Sequence, residues 1–514
     1  MTDRVASCPG CGGTLTFASA ATVCVVCPFC GGASYRSDVD LEFLGKVAEV
    51  ADIASPVELG GSGKLDGVGW TAIGRIQLDH GAGPWNEWCL LFDDGTWRWY
   101  AEAQGEALLT TAQPLADLPA PPAWDVLVPD VDVDLGPSGR FVVAEIGTGR
   151  VTAVQGELPT RVLPGAVVRY ADLRGPGGTF ATLDYGAGGP AVEAVYVGRT
   201  VLPEQLGLDA EKAAPVEKKV AARRLSCPKC AGIIELRDPE SVRVTCQSCG
   251  ALIEPTERGA KALGVGAALK LEPALPLGAQ GTLRGGKVEV LAFLVRSVKV
   301  EGVRYAWREY LLRTVKGSYR WLTESHAHWT LLEPVSPGDV AKSGGKMVFQ
   351  GRTFEHFQTG KATVDHVQGE VYWKVEVGET VQSKDFVAPP WCLTVEQSGN
   401  ETNVTVGTYL PKEEVEAAFG VRLATPHGVA PAQPNPYRGG TGRWWGVAAL
   451  LVLGMIVLMV AVSGAKGGDA VGVFFPGLFL IGGLLLPPIV VSTRASNFET
   501  RRWEDSDHPL GGSE

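Results

Sequence analysis

Nine of the eleven cysteines in this chain stand at the Cys-x-x-Cys spacing that metal-binding thiolates use. Each such knuckle is a tight turn that aims two thiolates at one ion. Two knuckles complete a tetrahedral Zn²⁺ shell with bonds of about 2.3 Å. The opening stretch, MTDRVASCPGCGGTLTFASAATVCVVCPFCGG, holds five of these cysteines, whereas CPKCAGIIELRDPESVRVTCQSCG holds four. Cys89 and Cys392 stand alone in apolar runs, where we expect small core residues.

An internal repeat selects four ligands from the first group. An offset of 219 residues carries four of its cysteines onto the second group and leaves Cys24 without a counterpart or an assigned role. The sequence therefore predicts two structural Zn²⁺ sites, because four thiolates leave no open coordination position for catalysis. A redox-active or disulfide pair is the alternative interpretation of this spacing. The predicted ligands are Cys8, Cys11, Cys27, Cys30, Cys227, Cys230, Cys246 and Cys249.

The repeat continues past the cysteines for roughly 150 residues. The stretch EWCLLFDDGTWRWYAE (87–102) matches EYLLRTVKGSYRWLTE (309–324), and both copies carry VQGE further on. Short apolar runs broken by Gly, Pro and Asp are typical of β-strands. Each copy is therefore predicted to be a small all-β module of the barrel or sandwich type, preceded by its own zinc ribbon.

Paired carboxylates are the second candidate for chemistry. Asp94-Gly95 reads as a two-residue hairpin turn. Counting back from this turn sets Glu87 opposite Glu102, and the same register in copy two sets Glu309 opposite Glu324. Like charges directly opposed on strands are unfavourable, so such a pair could share a proton, bind a cation or act as an acid/base dyad.

Two observations weigh against a catalytic interpretation of these pairs. A bulge could shift the register, or Arg98 and Arg320 could neutralise the carboxylates. The sequence also contains no nucleophile elbow, no P-loop and no dinucleotide-binding glycine motif. We therefore predict that the protein is not an enzyme, with a hydrolase that uses the paired carboxylates as the alternative.

Two uncharged runs near the C-terminus, 444–464 and 470–492, are each long enough to cross about 30 Å of hydrocarbon. Three prolines should kink or end the second span. The connection between the runs has one cation, whereas arginines flank both outer ends, so the positive-inside rule predicts cytoplasmic N- and C-termini. This predicts a two-span protein of the cell inner (cytoplasmic) membrane and agrees with reduced thiolates. The prolines are Pro476, Pro487 and Pro488.

The predicted fold class is mainly β: two small zinc ribbons, two tandem all-β barrel- or sandwich-like modules and a C-terminal α-helical transmembrane hairpin. The tail is expected to be a mobile surface segment, with a docking peptide as the alternative. The predicted units are ribbon one 1–40, module one 55–208, linker 209–224, ribbon two 225–256, module two 272–424, Pro/Gly linker 425–443, transmembrane helices 444–492 and cytoplasmic tail 493–514.

Charge and repetition indicate the class of partner. The formal net charge is −11, which does not favour a polyanionic partner. A basic run near a ribbon lies in a linker and consists of Lys218, Lys219, Arg223 and Arg224. Nucleic-acid binding by the zinc ribbons is therefore the weakest alternative. Two linked modules gain effective concentration on a multivalent partner. We therefore predict a membrane-anchored cytosolic binding or scaffold protein with an unidentified protein partner at the cytoplasmic face. Trp373 and Trp391 are candidate contacts, although a core role is the alternative for each.

The repeated motifs G-x-L-x-G, E-W/Y, G-x-x-R-W-x-x-E, V-Q-G-E and L-P-x-E resemble a bacterial family known as domain of unknown function 4178. The resemblance covers roughly 55–205 and 275–421, and copy two matches better through GEVYWKVEVGETVQSKDFVAPPWCLTVEQ. It implies no established reaction. It does imply a zinc ribbon in front, membrane helices behind and a neighbourhood of bacterial membrane-stress and envelope proteins. Because region 367–421 keeps the family pattern that copy one has lost, we expect copy two to carry most of the predicted binding.

Overall fold

The chain is a mainly β protein, as its sequence predicts, and a computed structural model gives its architecture. The predictions for residues 209–222, for the 466–469 connection and for 505–514 lie outside the described residues. The described residues are 4–36, 41–47, 50, 53, 55–81, 84–103, 106–208, 223–238, 241–256, 259–265, 271–300, 302–315, 317–465 and 470–504.

The first ribbon and the first module together supply fifteen strands. The ribbon strands are β1 (Arg4–Ser7), β2 (Thr14–Phe17), β3 (Cys24–Val26), β4 (Gly32–Arg36) and β5 (Leu41–Lys46). The module strands are β6 (Ser62–Leu65), β7 (Val68–Asp79), β8 (Pro84–Phe92), β9 (Trp97–Ala103), β10 (Glu106–Gln113), β11 (Asp132–Asp134), β12 (Arg140–Leu158), β13 (Val167–Arg174), β14 (Thr179–Asp184) and β15 (Ala194–Thr200).

The second copy repeats this order. Its ribbon strands are β16 (Arg223–Ser226), β17 (Ile233–Leu236), β18 (Arg243–Thr245), β19 (Ala251–Thr256) and β20 (Gly259–Val265). Because β5 and β20 pair onto the ribbons, both ribbons extend past the predicted ends at 40 and 256. The module strands are β21 (Gln280–Leu283), β22 (Gly286–Val300), β23 (Val303–Thr314), β24 (Tyr319–Ser325), β25 (His328–Val335), β26 (Ala341–Ser343), β27 (Lys346–Phe349), β28 (Arg352–Val371), β29 (Thr380–Ala388), β30 (Trp391–Gln397) and β31 (Thr402–Leu410).

Each module is a closed antiparallel barrel of eight strands. In copy one the pairing order β7-β8-β9-β10-β15-β14-β13-β12 returns to β7, so two four-stranded meanders meet along both of their edges. In copy two β22-β23-β24-β25-β31-β30-β29-β28 returns to β22 in the same way. Closure removes the unpaired strand edges that an open sheet of this size would expose.

The barrel wall is covered on both faces. Outside barrel one, Trp88 and Leu90 pack under β6 and the segment 201–208, while a second outer core forms beneath the β10–β12 connection. The other face of each strand points into a lumen that is lined by polar as well as apolar side chains. Because much of the outer face is apolar and covered, the inner face need not supply the whole core.

The hairpin register differs by one residue from the sequence prediction. Phe92 N donates to Thr96 O at 2.8 Å and Gly95 N donates to Phe92 O at 2.9 Å. The loop therefore has three residues, with Gly95 at φ 84°, instead of the two-residue turn assumed from Asp94-Gly95. Leu91 pairs with Trp97, and copy two has the same loop, with Gly317 N bonded to Thr314 O.

Three α-helices lie in the described part of the chain: α1 (Lys412–Phe419), α2 (Arg438–Ala465) and α3 (Ala470–Trp503). Candidate membrane spans cover 442–462 and 475–503, so two helices have the length and composition to cross a bilayer. The prolines do not end the second helix, because α3 continues through Pro487 and Pro488, and the kink expected as the other outcome stays a prediction. In hydrocarbon, an unwound backbone would leave more polar groups unpaired than two prolines do.

The last turns of α3 form a polar extension that docks on the rest of the chain. Arg502 is 2% exposed and donates to the carbonyl oxygens of Ala430 and Pro431. Asn435 donates to Ala495 O at 3.0 Å, and the Trp503 ring lies 5.6 Å from that of Phe357 on β28. Residues 493–503 are thus a docked helix and not a mobile tail.

Candidate metal centres and barrel interiors

The eight predicted cysteine ligands lie in two clusters. In each cluster all four sulfur atoms lie within 4.8 Å of one another. The Sγ–Sγ separations are 3.8 Å for Cys8–Cys30 and 3.7 Å for Cys11–Cys27, Cys227–Cys249 and Cys230–Cys246. A tetrahedron with metal–sulfur bonds of about 2.3 Å has edges of about 3.8 Å, so the donor sets fit a tetrahedral thiophilic ion.

Backbone turns hold the thiolates in place. Cys8 N donates to Gly13 O and Gly12 N donates to Cys8 O, both at 2.8 Å, and the knuckle at Cys27 repeats the pattern. The residue after each Cys-x-x-Cys is left-handed: Gly12 has φ 76°, and Ala231 takes the same position with φ 59°. The sequence pattern therefore encodes the turns as well as the ligands.

Cys24 lies outside both clusters. It is fully buried on β3, where it pairs with Leu158 at the end of β12 and packs with Leu78 and Trp99 of barrel one. Burial raises the pKa of its thiol. It is therefore a core residue that joins the ribbon to the barrel, and Cys89, fully buried in the same cluster, also matches its predicted core role.

The glutamate of the V-Q-G-E motif clamps each ribbon to its barrel, a role that sequence reasoning missed. Glu157 accepts hydrogen bonds from Ala18 N at 2.8 Å and Thr22 Oγ1 at 2.6 Å. In copy two, Glu370 accepts bonds from Arg237 N, Asp238 N and Ser241 Oγ. The repetition of VQGE in both copies was the available signal.

The glycine of the same motif adopts a backbone conformation that bends β12 and β28 away from the barrel wall. Gly156 has φ 74°, and a Cβ there would lie 2.2 Å from Ile73 O. Gly369 has φ 97° and the same conflict with Leu291 O. Beyond this point each long strand pairs with its ribbon, since Glu157 faces Val25 and Glu370 faces Val244.

The predicted carboxylate pairs do not exist. Glu87 faces Ala101, and Glu102 faces Asn86, because of the one-residue change in register. A slip of one residue places two side chains on opposite faces of the wall, so Glu87 points into the lumen and Glu102 lies outside. Outside, Glu102 accepts hydrogen bonds from Ser55 Oγ and Tyr100 Oη, both at 2.7 Å.

Copy two separates its glutamates in the same way. Glu309 faces Thr323 across the strands and points into the lumen. Glu324 faces Arg308, which binds it at 2.9 Å, and accepts a hydrogen bond from Ala327 N. The proposed neutralising residue Arg320 binds Glu333 instead, at 2.9 Å.

The lumen of barrel two contains a buried ion pair network that spans the barrel. Arg296 Nη1 on β22 lies 2.7 Å from Glu396 Oε1 on β30 and 3.4 Å from Glu309 Oε1 on β23. Trp307 Nε1 donates to Glu309 at 2.6 Å. Burial opposes the charge of Arg296, but the two carboxylates outweigh it and raise the pKa of the guanidinium.

The lumen of barrel one is acidic. Glu145 faces Asp172 and Asp184 faces Tyr170 across the strands, and these side chains share the lumen face with Glu87. Burial raises the pKa of Glu87 to about 7, with the Asp184 charge adding to the effect and a hydrogen bond from Trp85 opposing it. Burial, together with Glu145, also raises the pKa of Asp172 to about 7. At neutral pH these groups are therefore partly protonated.

The aromatic residues proposed as partner contacts are partly buried. Trp373 packs edge-on against Trp321, with ring centroids 5.3 Å apart. Trp391 lies beneath Arg352, whose guanidinium carbon is 3.3 Å from the ring centroid. Cys392, predicted to be a core residue, is half-buried on the lumen side of β30.

These features define a class: a tandem β-barrel protein in which each barrel carries a four-cysteine ribbon, followed by two apolar helices. The chain belongs to the family described as Domain of unknown function (DUF4178), whose model matches residues 58–203 and 276–412, together more than half of the chain. The two matched ranges coincide with the two barrels. No curated protein and no solved structure matches the chain.

Proposed function

We propose that the protein is a membrane-anchored binding or scaffold protein that holds a protein partner at the cytoplasmic face of a bacterial inner membrane. Both metal centres hold structural Zn²⁺, and no residue performs catalysis. Both termini and both barrels are cytoplasmic. The family resemblance adds a link to membrane or envelope stress.

The observation that carries this proposal is the docking of α3 on the soluble part. The buried Arg502 side chain caps the carbonyls of Ala430 and Pro431, and its Nε lies 2.8 Å from Glu499 Oε2. An anchor that served only to retain the chain would need no such contact. A docked anchor fixes barrel two close to the bilayer surface, which suits a protein that presents a partner there.

The contact between the two barrels supports the same role. Gly177 N donates to Asp339 Oδ1, Lys342 Nζ lies 2.7 Å from Asp130 Oδ1, and Ile146 N donates to Asn400 O. Linked barrels present two related surfaces at a fixed separation, which gives avidity for a partner with repeated features. Copy two carries most of the binding, because region 367–421 keeps the family pattern.

The zinc assignment rests on the donor chemistry. Four thiolates at tetrahedral separations prefer Zn²⁺ among the abundant divalent ions, and Mg²⁺ or Ca²⁺ would require oxygen ligands. Exposed Cys11 and Cys230 would oxidise in a secreted protein, whereas a reducing compartment keeps them available for metal.

Crosslinking in intact bacterial membranes tests the proposal. The full chain should capture a defined protein, and a chain that lacks residues 438–514 should capture it from the cytosol while cellular function is lost. An unrelated transmembrane hairpin in place of 438–514 is the control: it tethers the chain without the Arg502 contacts and should not restore full function. Turnover of a substrate by the purified full chain, without a captured protein, would contradict the proposal.

A further inference from the structure

One lumen position differs in charge between the two barrels. In barrel two, Arg296 lies opposite Trp307 on the neighbouring strand. In barrel one, the residue opposite the equivalent Trp85 is Leu78, which is 6% exposed. A leucine side chain is shorter than that of arginine and has no cationic head. Barrel one therefore lacks the guanidinium that spans the other lumen.

The first carboxylate that holds Arg296 is retained in barrel one. Glu309 stands two residues after Trp307 and accepts its indole hydrogen bond at 2.6 Å. Glu87 stands two residues after Trp85 and accepts the same bond at 3.1 Å. Both glutamates point into their lumens from the second strand of the barrel.

The second carboxylate is retained as well. Glu396 stands two residues after Thr394, whose hydroxyl donates to Asp385 at 2.7 Å. Asp184 stands two residues after Thr182, whose hydroxyl donates to Asp172 at 2.8 Å. Asp184 is close enough to Glu87 for its charge to oppose ionisation of Glu87. Barrel two thus shows that this carboxylate pair ligates a cationic side chain.

The described residues supply no cation in place of Arg296. Within the described part of the chain, Glu87, Glu145, Asp172 and Asp184 form no salt bridge, and Arg174 at the lumen edge is 2.9 Å from Glu106. Glu145 adds a carboxylate where barrel two has Gln358, since each faces the aspartate of the neighbouring strand. Arg174 offsets part of the charge at Asp172, whereas the influences on Glu87 are burial, Trp85 and Asp184 and include no cation.

We propose that the lumen of barrel one binds the guanidinium or ammonium group of a small organic cation between Glu87 and Asp184, in the place that Arg296 occupies in barrel two. The alkyl part of the ligand lies against Leu78. Trp85 supplies an aromatic wall, as Trp307 does for Arg296 at 5.8 Å. Apolar side chains beside the carboxylates suit an organic cation better than a divalent metal, which requires six or more oxygen ligands.

Calorimetric titration of the full chain in lipid nanodiscs tests this site with n-butylguanidinium and n-butylammonium. The native chain should bind one equivalent of probe. Glu87→Gln should weaken binding by about tenfold or more, because a carboxylate is lost from an enclosed charge pair. Leu78→Arg should abolish binding, because its own guanidinium fills the site. Arg296→Leu should add a second equivalent by opening the corresponding site in barrel two.

Glu102→Gln is the matched control, because this glutamate lies on the outer face of the same wall, and it should bind like the native chain. Circular dichroism and metal content establish the folding of each variant. If Leu78→Arg does not fold, Glu87→Gln and Arg296→Leu decide the question. The proposal is overturned if neither probe binds, if folded Leu78→Arg binds like the native chain, or if Ca²⁺ or Mg²⁺ binds there and the probes do not compete.

Discussion

At the scale of single residues, Cys24 and Cys27 test the choice of metal ligands. Both are buried, but Cys27 lies in the four-sulfur cluster and Cys24 packs against the barrel. We expect Cys27→Ser to remove one of two Zn²⁺ ions per chain, because three thiolates do not complete the site. Cys24→Ser is the matched control and should keep both ions. Elemental analysis of the full chain measures this, and equal loss from both variants would refute the ligand assignment.

The cysteine ligands could be predicted from the sequence, whereas the position of Glu87 could not. Ligand spacing is local, and a repeat at a fixed offset removes the ambiguity of a fifth cysteine. Which residue faces Glu87 depends on the length of the hairpin loop. Asp93, Asp94 and Gly95 form a loop of three residues instead of two, which shifts the strand pairing by one residue and places Glu87 and Glu102 on opposite faces of the sheet. Sequence alone also gave no sign that strands across the barrel bring Asp184 near Glu87.

The raised pKa of Glu87 predicts a pH-dependent stability. Burial raises this pKa to about 7, and Asp184 adds to the shift, so the folded state favours the neutral carboxyl. As pH rises from about 4.5 to about 7, the unfolded chain ionises first and the free energy of unfolding falls. The Glu87→Gln variant has no carboxyl to ionise at this position. As pH rises from 5.5 to 8, we therefore expect its free energy of unfolding to increase by about 1 to 3 kcal/mol relative to that of the native chain.

Thermal unfolding of the ligand-free full chain, followed at the barrel-one transition, measures this difference. Comparing variant with native chain at each pH cancels the acid loss of Zn²⁺, which affects both equally. Glu102→Gln, on the outer face, is not a control here because burial also raises its pKa. Exposed Glu42→Gln is the better control. A native–variant difference that does not change with pH would contradict the prediction.

At the scale of elements, the junction of ribbon and barrel should depend on the V-Q-G-E glutamate. Glu370 is 5% exposed and accepts bonds from Arg237 N, Asp238 N and Ser241 Oγ. An amide keeps the shape but loses the charge and one acceptor, so Glu370→Gln should destabilise ribbon two by about 2 kcal/mol. The measured result is faster release of one Zn²⁺ per chain to a chelator.

Partly exposed Glu355→Gln in the same strand is the control for this prediction. It should leave both release rates unchanged, because solvent screens its ion pair with Lys346. Faster release from both ribbons would mean that Glu370 acts on the whole molecule. If Zn²⁺ leaves ribbon two at an unchanged rate, the hydrogen bonds of Glu370 to the ribbon do not contribute to metal retention.

The existence of the strands could be predicted, but the face that forms the lumen could not. Trp88 and Trp99 are both nearly fully buried, one in the outer core and one inside the barrel. When both faces of a wall are covered, apolar residues occur on both and the alternation that marks a half-exposed strand is weakened. The end of helix α3 also could not be predicted from local sequence. Pro487 and Pro488 usually end a helix, but in hydrocarbon an unwound backbone costs more free energy than the hydrogen bonds that the two prolines remove.

At the scale of the whole molecule, the predicted topology places the short connection between α2 and α3 outside the cytoplasm. A cysteine introduced by Gly464→Cys, near the end of α2, should react with a membrane-impermeant thiol reagent in intact cells. A cysteine introduced by Ser513→Cys in the tail is the control and should stay unlabelled until the membrane is opened. Labelling of Ser513→Cys in intact cells, with Gly464→Cys protected, would reverse the topology and the cytosolic assignment.

Docking of α3 should determine how barrel two is held relative to the bilayer. The Arg502 side chain is 1% exposed and links Ala430 and Pro431 to Glu499, so Arg502→Gln should free the 426–437 segment. Arg501→Gln removes the same charge from an exposed neighbour and is the matched control. Hydrogen exchange of the full chain in nanodiscs should therefore speed up in 426–437 for Arg502→Gln alone. If both variants behave alike, the effect belongs to membrane charge and not to docking, because Arg502 bonds to Ala430 and Pro431 whereas the Arg501 side chain is exposed.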